Sequence, residues 1–162
     1  MDKIKKASQK SSRHSKIAGD FGEILVLYYL SRYGFECARI DHTGIDLIAR
    51  LKSEPQPRGI SVKTASREEF RKKKAMTISY SDIESAERAC VAFNATPYLA
   101  VVFDGIESVC VLLVEIAPLK SDKNGKKTFR FSFSDAHKEK YRSKEFKGKF
   151  IEMSAKLESW KK

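Results

Sequence analysis

The 162-residue sequence predicts an α/β domain in which helices flank a mixed β-sheet. Three observations predict it. A helix-like apolar periodicity precedes three short strand-like segments, a second helical segment with a capping pattern comes next, and two apolar strands come after that. The hydrophobic fraction of 41% and the charged fraction of 33% argue against disorder. A chain of this length buries enough surface to fold without disulfides or a structural metal.

The first helix is predicted over Ile17–Tyr33, with Ser15 as its N-cap and Gly34 as its stop signal. Its apolar residues recur at helical spacing, which predicts one buried stripe. That stripe consists of Ile17, Phe21, Ile24 or Leu25, and Tyr28.

The next segments predict three strands at Phe35–Ile40, Ile45–Leu51 and Arg58–Ala65, with a turn at Asp41–Gly44 and a proline-containing loop at Lys52–Pro57. If Leu51 pairs with Arg58 across that loop, Asp46 lies opposite Lys63. Strand alternation puts Ser61 on the same face as Lys63. An acid, a hydroxyl and a lysine are therefore expected to converge on one face.

Beyond residue 74 the sequence predicts a strand at Ala75–Tyr80 and a helix at Ser81–Ala95, with Ser81 as N-cap and Glu84 at the capping-box position. The remaining predicted elements are strands at Pro97–Asp104, Ser108–Ile116 and Lys127–Phe133, and a last helix near Phe150–Trp160. Phe129, Phe131 and Phe133 alternate along one strand. They form either its buried face or a platform for unpaired bases.

Positive charge is concentrated at both ends of the chain and in one run between them. The formal net charge is +11, and the basic regions are a tail over residues 1–16, a C-terminal extension over residues 134–162 and the run Arg71, Lys72, Lys73 and Lys74. The domain between the tail and the extension is predicted over residues 17–133. This balance favours a polyanionic partner, nucleic acid before an anionic membrane surface. A further alternative is an interaction protein that uses its basic arms on RNA or a ribonucleoprotein.

Secreted, membrane-spanning and zinc-finger classes are excluded at this stage. The longest apolar run, 24–30, is too short to span a bilayer, and residues 1–16 contain no apolar signal-peptide core. The three cysteines Cys37, Cys90 and Cys110 form no CxxC pair. They are typical of a reduced, cytoplasmic chain.

Glu23 is a second feature that apolar packing does not explain. It lies among apolar residues in the first helix, where a carboxylate is costly unless a cation or donor meets it. Gly22, beside it, permits close approach of that helix to a strand or a phosphate backbone.

Taken together, Gly22-Glu23, Gly44-Ile-Asp-Leu-Ile48 and Ile60-Ser-Val-Lys-Thr64 resemble the core signature of the PD-(D/E)XK nuclease superfamily. Ala95–Phe103 is similar to the segment after that core in archaeal-type Holliday junction resolvases and small homing or repair endonucleases. The resemblance covers roughly residues 17–116. It implies a restriction-endonuclease-like, three-layer core and hydrolysis of phosphodiester bonds with Mg²⁺, or alternatively Mn²⁺.

The resemblance also implies roles for individual residues. Asp46 would bind the metal directly, with the carbonyl of Val62 as a further ligand. Lys63 would orient the attacking water or offset charge on the phosphate. Glu23 would join through the metal or its water shell. The nucleic-acid backbone would be contacted by the basic run of Arg71, Lys72, Lys73 and Lys74.

Two departures from the family pattern bear on activity. Ile45 replaces the motif's proline, a common variation, whereas Ser61 stands where the second acid is expected. Glu84 is the favoured relocated acid, with Glu87 beside it on the same helix. The sequence therefore predicts a metal-dependent DNA endonuclease acting on duplex or branched DNA as a homodimer. The alternative is a catalytically inactive or weak nucleic-acid-binding protein on the same fold.

Overall fold

The computed structural model describes residues 11–65, 75–105, 108–120 and 125–154, with side chains given up to residue 149. The helices are α1 (His14–Arg32), α2 (Tyr80–Ala92), α3 (Ala117–Lys120) and α4 (Asp135–Arg142). The strands are β1 (Glu36–His42), β2 (Ile45–Arg50), β3 (Arg58–Ala65), β4 (Ala75–Ser79), β5 (Thr96–Asp104), β6 (Ser108–Glu115), β7 (Thr128–Ser132) and β8 (Lys149–Ser154).

Six strands form one mixed sheet in the order β1-β2-β3-β5-β6-β8. The β3–β5 pair is parallel and the other four pairs are antiparallel. The parallel pair requires a crossover, and α2 lies within it. Strands β4 and β7 form a separate two-stranded sheet. The predicted α/β class, a mixed sheet with flanking helices, is confirmed.

The sheet separates two hydrophobic cores. On one face α1 packs on alternate residues of β2 and β3, such as Leu47, Ile60 and Val62. On the other face α2 packs against a larger cluster that includes Leu99 and Val101 of β5. Helices on both faces give the three layers expected for this class.

The predicted buried stripe of α1 is wrong. Its members are among the exposed large hydrophobic residues: Ile17, Phe21, Ile24 and Tyr28 are 55%, 42%, 48% and 49% exposed, and Leu25 alone is buried. The residues that face the sheet are Gly22, Leu25, Val26, Tyr29 and Leu30. The helix is apolar on two sides, so its periodicity alone did not identify the sheet-facing one.

Both helix starts also differ from prediction. Ser15 lies inside α1, and the N-cap is Arg13, which makes no side-chain capping bond. Helix α2 is capped by Ser79 rather than Ser81, because the Ser79 hydroxyl accepts a hydrogen bond of 3.1 Å from the Asp82 amide. Gly34 has φ +82°, the left-handed conformation of a glycine that ends a helix, as predicted.

In the C-terminal half one predicted element is wrong, and the two alternatives for the phenylalanine stripe are decided. Residues 150–154 of the predicted last helix form β8, which completes the edge of the main sheet beside β6. Phe129 and Phe131 are 4% and 0% exposed, so they belong to the core rather than to an exposed stacking platform. No helix in the described parts of the chain is long and apolar enough to cross a membrane.

Candidate active site

A polar cleft of about 480 Å³ lies between α1 and the β1–β2 hairpin. It is lined by Glu23, Arg39, Ile40, Asp41, His42 and Asp46. Of the four residues predicted to be catalytic, Glu23 and Asp46 are brought to this cleft from different elements, whereas Ser61 and Lys63 are not among its lining residues. The three carboxylates with one arginine and one histidine make this a site for charged chemistry rather than for apolar binding.

The hairpin turn that precedes Asp46 is held against α2. Gly44 has φ +108°, and a Cβ atom there would lie 2.4 Å from the Ser85 carbonyl oxygen. A side chain at this position would be both strained and blocked by backbone. Glycine therefore allows the turn to rest on α2, which positions the start of β2 and with it Asp46.

Asp46 lies where the β2–β3 ladder ends. The predicted register is wrong by two residues: Leu47 pairs with Ile60 and Ala49 with Arg58, not Leu51 with Arg58. The predicted placement of Asp46 opposite Lys63 is therefore wrong as well. Beyond Leu47 the Val62 amide donates to the Asp46 carboxylate, at 2.6 Å from Val62 N to Oδ2. A shift of two residues preserves strand alternation, so the faces of β3 remain as predicted although the partners differ.

Ser61 and Lys63 lie on the face of β3 opposite Ile60 and Val62. In the described ranges Ser61 is the only buried polar or charged residue, at 3% exposure, while Lys63 is half-buried. Ser61 is held between β2 and β5, where it pairs in parallel register with Leu99. The position expected to carry the second acid thus has a small hydroxyl in a dry setting.

Arg39 is a cleft residue that was not predicted from the sequence. Its Nη2 and Nε donate to Glu23 Oε2 at 2.6 Å and 3.1 Å, and Asp20 Oδ1 lies 3.7 Å from Nη2. Glu23 is only 22% exposed in its side chain, so the arginine supplies the cation that its placement requires. The available signal was a basic residue flanked by Ala38 and Ile40 in the strand before Asp46.

The carboxylate oxygens of the cleft are ligands of the type that a hard divalent cation prefers, but they do not form a complete ligand set. In the part of the chain described here, no three His, Cys, Asp or Glu side chains converge as a metal-binding group. Mg²⁺ commonly uses one or two carboxylates and completes its shell with water and phosphate oxygens. Glu23 and Asp46, lining one open cleft, fit that mode. Both hydrogen bonds from Arg39 go to Oε2 of Glu23, so Oε1 is the oxygen that would meet the cation.

The acids proposed to replace the one missing at Ser61 lie outside the cleft. Glu84 is half-buried in α2, next to the segment on which the hairpin turn rests, but it does not line the cleft. It is not at the capping-box position either, because the N-cap is Ser79 and the residue three positions later is Asp82. Glu87 makes a 3.0 Å ion pair with Lys120.

The predicted contacts to the nucleic-acid backbone are not tested by this structure. The basic run of Arg71, Lys72, Lys73 and Lys74 lies outside the described residues, which end at residue 65 and resume at residue 75. The role of these four side chains therefore stays a prediction from charge and sequence position.

A second cavity, of about 370 Å³, has the opposite character. Its lining is mainly apolar: Val26, Tyr29, Leu30, Tyr33, Phe35, Val111 and Leu113, with Arg58 and Lys149. The Arg58 guanidinium lies over the rings of Phe35 and Tyr98, 4.7 Å and 4.6 Å from their centroids, and is paired with Glu54. Burial raises the pKa of Tyr98 to about 12. The Arg58 guanidinium therefore already has its partners within the fold.

No protein-family model and no curated protein sequence matches the chain. Among solved structures it is similar to Hjc, a Holliday junction resolvase from the archaeal hyperthermophile Archaeoglobus fulgidus. The TM-score is 0.53 at 18% sequence identity, and the match covers 71% of this chain and 84% of the resolvase chain. At this identity the likeness establishes a shared fold: a mixed sheet flanked by helices, as in that nuclease.

Proposed function

We propose that this protein is a metal-dependent endonuclease that hydrolyses phosphodiester bonds in duplex or branched DNA, as a homodimer. One observation carries the proposal. Glu23 and Asp46, from a helix and a strand, line one cleft next to the strand that bears Ser61 and Lys63. The similarity to a Holliday junction resolvase supports a nuclease that acts on branched DNA, and with it membership of the PD-(D/E)XK superfamily.

In this proposal each residue has a defined task. Asp46 and Glu23 would hold Mg²⁺ or Mn²⁺, and the bound cation would supply a polarised phosphate and a metal-activated water. The Val62 amide keeps the Asp46 carboxylate oriented. Lys63 would place its ammonium beside the scissile phosphate and stabilise the negative charge that develops there.

Arg39 would act as a positioning residue for Glu23. A planar guanidinium that donates twice to one carboxylate oxygen fixes that carboxylate more tightly than a lysine would. The Val62 carbonyl as a further ligand and Glu84 as the relocated acid remain part of the proposal. So do the backbone contacts of the basic run, Arg71, Lys72, Lys73 and Lys74.

A second candidate function, nucleic-acid binding without cleavage, is favoured by a specific feature. Ser61 is buried where the family pattern has an acid, and Glu23 is engaged by Arg39. A hydroxyl is a weak ligand for Mg²⁺ compared with a carboxylate, so metal affinity would fall. The net charge of +11 would still give salt-sensitive binding to DNA, with RNA as a competing ligand.

The deciding experiment incubates supercoiled plasmid and a four-way DNA junction with the purified chain in Mg²⁺, in Mn²⁺ and in chelator. Asp46→Ala and Lys63→Ala are the test variants. Glu139→Ala is the matched control, because it removes one carboxylate on α4, outside the cleft. We expect metal-dependent cutting that falls at least about 100-fold in both test variants and is unchanged in the control.

Each other outcome has a definite meaning. Cutting that survives Asp46→Ala would refute the assigned site. Salt-sensitive retention of DNA with no cutting in either metal would favour the binding protein. Cutting confined to the junction would define a resolvase.

A further inference from the structure

The face of α1 turned away from the sheet carries a continuous apolar stripe, here called the α1 stripe and formed by Ile17, Phe21, Ile24 and Tyr28. All four side chains are 42–55% exposed. Residues at i, i+4, i+7 and i+11 lie on one face of a helix. A helix that is apolar on two sides normally has both sides covered, and here the described chain covers only one.

We propose that the α1 stripe is the contact through which two copies of this chain pair, with their α1 helices antiparallel. The spacing of the stripe, four then three then four residues, is the same in either direction along the helix. A two-fold axis between residues 22 and 23 therefore sets Phe21 against Ile24 of the second copy. The same axis sets Ile17 against Tyr28, so every contact joins an aromatic to an aliphatic side chain.

The antiparallel arrangement is favoured over a parallel one for two reasons. In a parallel pair each residue would meet its own copy, which puts two large rings together at Phe21 and at Tyr28 and two smaller side chains between them. Antiparallel helices also align their macrodipoles favourably.

The size of the stripe predicts a weak interface. Four half-exposed large side chains offer roughly 400 Å² per copy, about half of the 800 Å² that a standard stable interface uses. Dimerisation is therefore expected to depend on concentration, with further stabilisation when both copies share one nucleic acid.

The same two-fold axis relates the two clefts. Glu23 lies at the midpoint of the stripe along the helix and roughly 130° around it from the stripe centre. A two-fold axis perpendicular to both helices keeps the two Glu23 side chains on one side of the pair. With helix axes about 10 Å apart, the carboxylates would lie on the order of 20 Å from each other. Both clefts would then address two strands of one DNA, a consequence that rests on the proposed function.

The test is sedimentation velocity of the full chain from low micromolar to several hundred micromolar. Phe21→Glu and Ile24→Lys each place a charge in the stripe. Val91→Glu is the control, since Val91 is 83% exposed on α2 and lies outside the stripe. We expect the wild-type chain and Val91→Glu to dimerise and each stripe variant to weaken dimerisation at least about tenfold, since a buried unpaired charge is costly.

A mixture of the two stripe variants tests the antiparallel pairing. The glutamate of the Phe21→Glu chain would face the lysine of the Ile24→Lys chain, so the mixture should form a heterodimer that is tighter than the homodimer of either variant. A wild-type chain that stays monomeric, or a Phe21→Glu chain that dimerises as the wild type does, would overturn the proposal. Loss of dimerisation in Val91→Glu would do the same, and failure of the mixture to associate would refute the antiparallel pairing.

Sedimentation velocity measures association and does not depend on catalysis. A failure of the proposed contact surface can therefore be distinguished from a failure of the proposed function. If both hold, wild-type protein should convert supercoiled plasmid to linear product. Phe21→Glu should then accumulate nicked circles, because one cleft acts at a time.

Discussion

Helices α1 and α2 pack on opposite faces of β3, and a glycine allows close approach at each contact. In α1 the glycine is on the helix: a Cβ atom on Gly22 would lie 1.9 Å from Thr64 Oγ1. At α2 the glycine is on the strand: a Cβ atom on Gly59 would lie 2.4 Å from Cys90 Sγ. Both faces of β3 are thus covered closely, which fixes the strand that carries Ser61 and Lys63.

The two helices differ in what their remaining faces do. The buried residues of α2, including Ile83, Ala86 and Cys90, lie on one side, and its exposed apolar side chain, Val91, is near its end. Helix α1 has a sheet-facing side, the exposed α1 stripe and, between them, Glu23 in the cleft. The comparison indicates that α2 serves mainly the fold and offers the proposed site only Glu84, whereas α1 carries both the cleft residue Glu23 and the proposed contact surface.

The largest expected effect is the difference in stability between the same substitution, isoleucine to alanine, made in each of the two helices. Ile83→Ala in α2, at 1% exposure, should lower the free energy of unfolding by about 2–5 kcal/mol because it leaves a core cavity. Ile24→Ala, at 48% exposure, should change it by less than about 0.5 kcal/mol. Urea unfolding at low micromolar protein measures both. Similar losses at the two positions would show that the α1 stripe is part of this chain's own core.

A second prediction tests the glycine contact of α1. Gly22→Ala should destabilise the protein by about 1–3 kcal/mol, because the new methyl group overlaps Thr64 Oγ1. Thr64→Ala should cost little, since that hydroxyl is the one buried side-chain polar atom without a hydrogen-bond partner in the described chain.

The double variant Gly22→Ala with Thr64→Ala is the control for this contact. It should recover most of the stability, which gives a favourable coupling energy in a double-mutant cycle measured by urea unfolding. Additive losses would mean that α1 does not approach β3 at this point.

Arg39→Ala tests the cleft side of α1 without changing the side that packs on the sheet. The Glu23–Arg39 pair is partly exposed, so the free energy of unfolding should change by less than about 1 kcal/mol. Plasmid cleavage should fall about tenfold, because Glu23 loses the group that orients it. Arg142→Ala, which breaks the exposed pair with Glu139, is the matched control. Unchanged cleavage in Arg39→Ala would remove the positioning role.

The smallest effect concerns pH at the α2 contact. Burial raises the pKa of the Cys90 thiol from 9.0 to about 11. Between these values the unfolded chain loses the thiol proton while the folded chain keeps it, so stability falls as pH rises from 9 towards 11. Urea unfolding at pH 8 and pH 10 should show a smaller decline in Cys90→Ala than in the wild type. Equal declines in the two proteins would show that other titrating groups cause the loss of stability.

Local sequence pattern predicted much of this fold. The bounds of β3 match the prediction, because its apolar run lies between a proline-containing loop and the basic segment that begins at residue 66. The order of helices and strands from α1 to β6 also agrees, since turn residues and periodicity are local properties. The motif residues Glu23 and Asp46 are brought to one cleft, although Arg39 was missed because its partner is sixteen positions away.

The sequence by itself determined the α/β class, the order of its elements from α1 to β6 and the alternation that puts Ser61 and Lys63 on one face of β3. Only the tertiary structure decided which apolar side of α1 meets the sheet and which residues pair across β2 and β3. The physical reason is that helical and strand periodicities depend on neighbours in the chain. The register of a strand pair and the buried face of a helix depend instead on surfaces contributed by distant segments. The close approach of Gly22 to Thr64, which sets the rotation of α1 on the sheet, is such a contact.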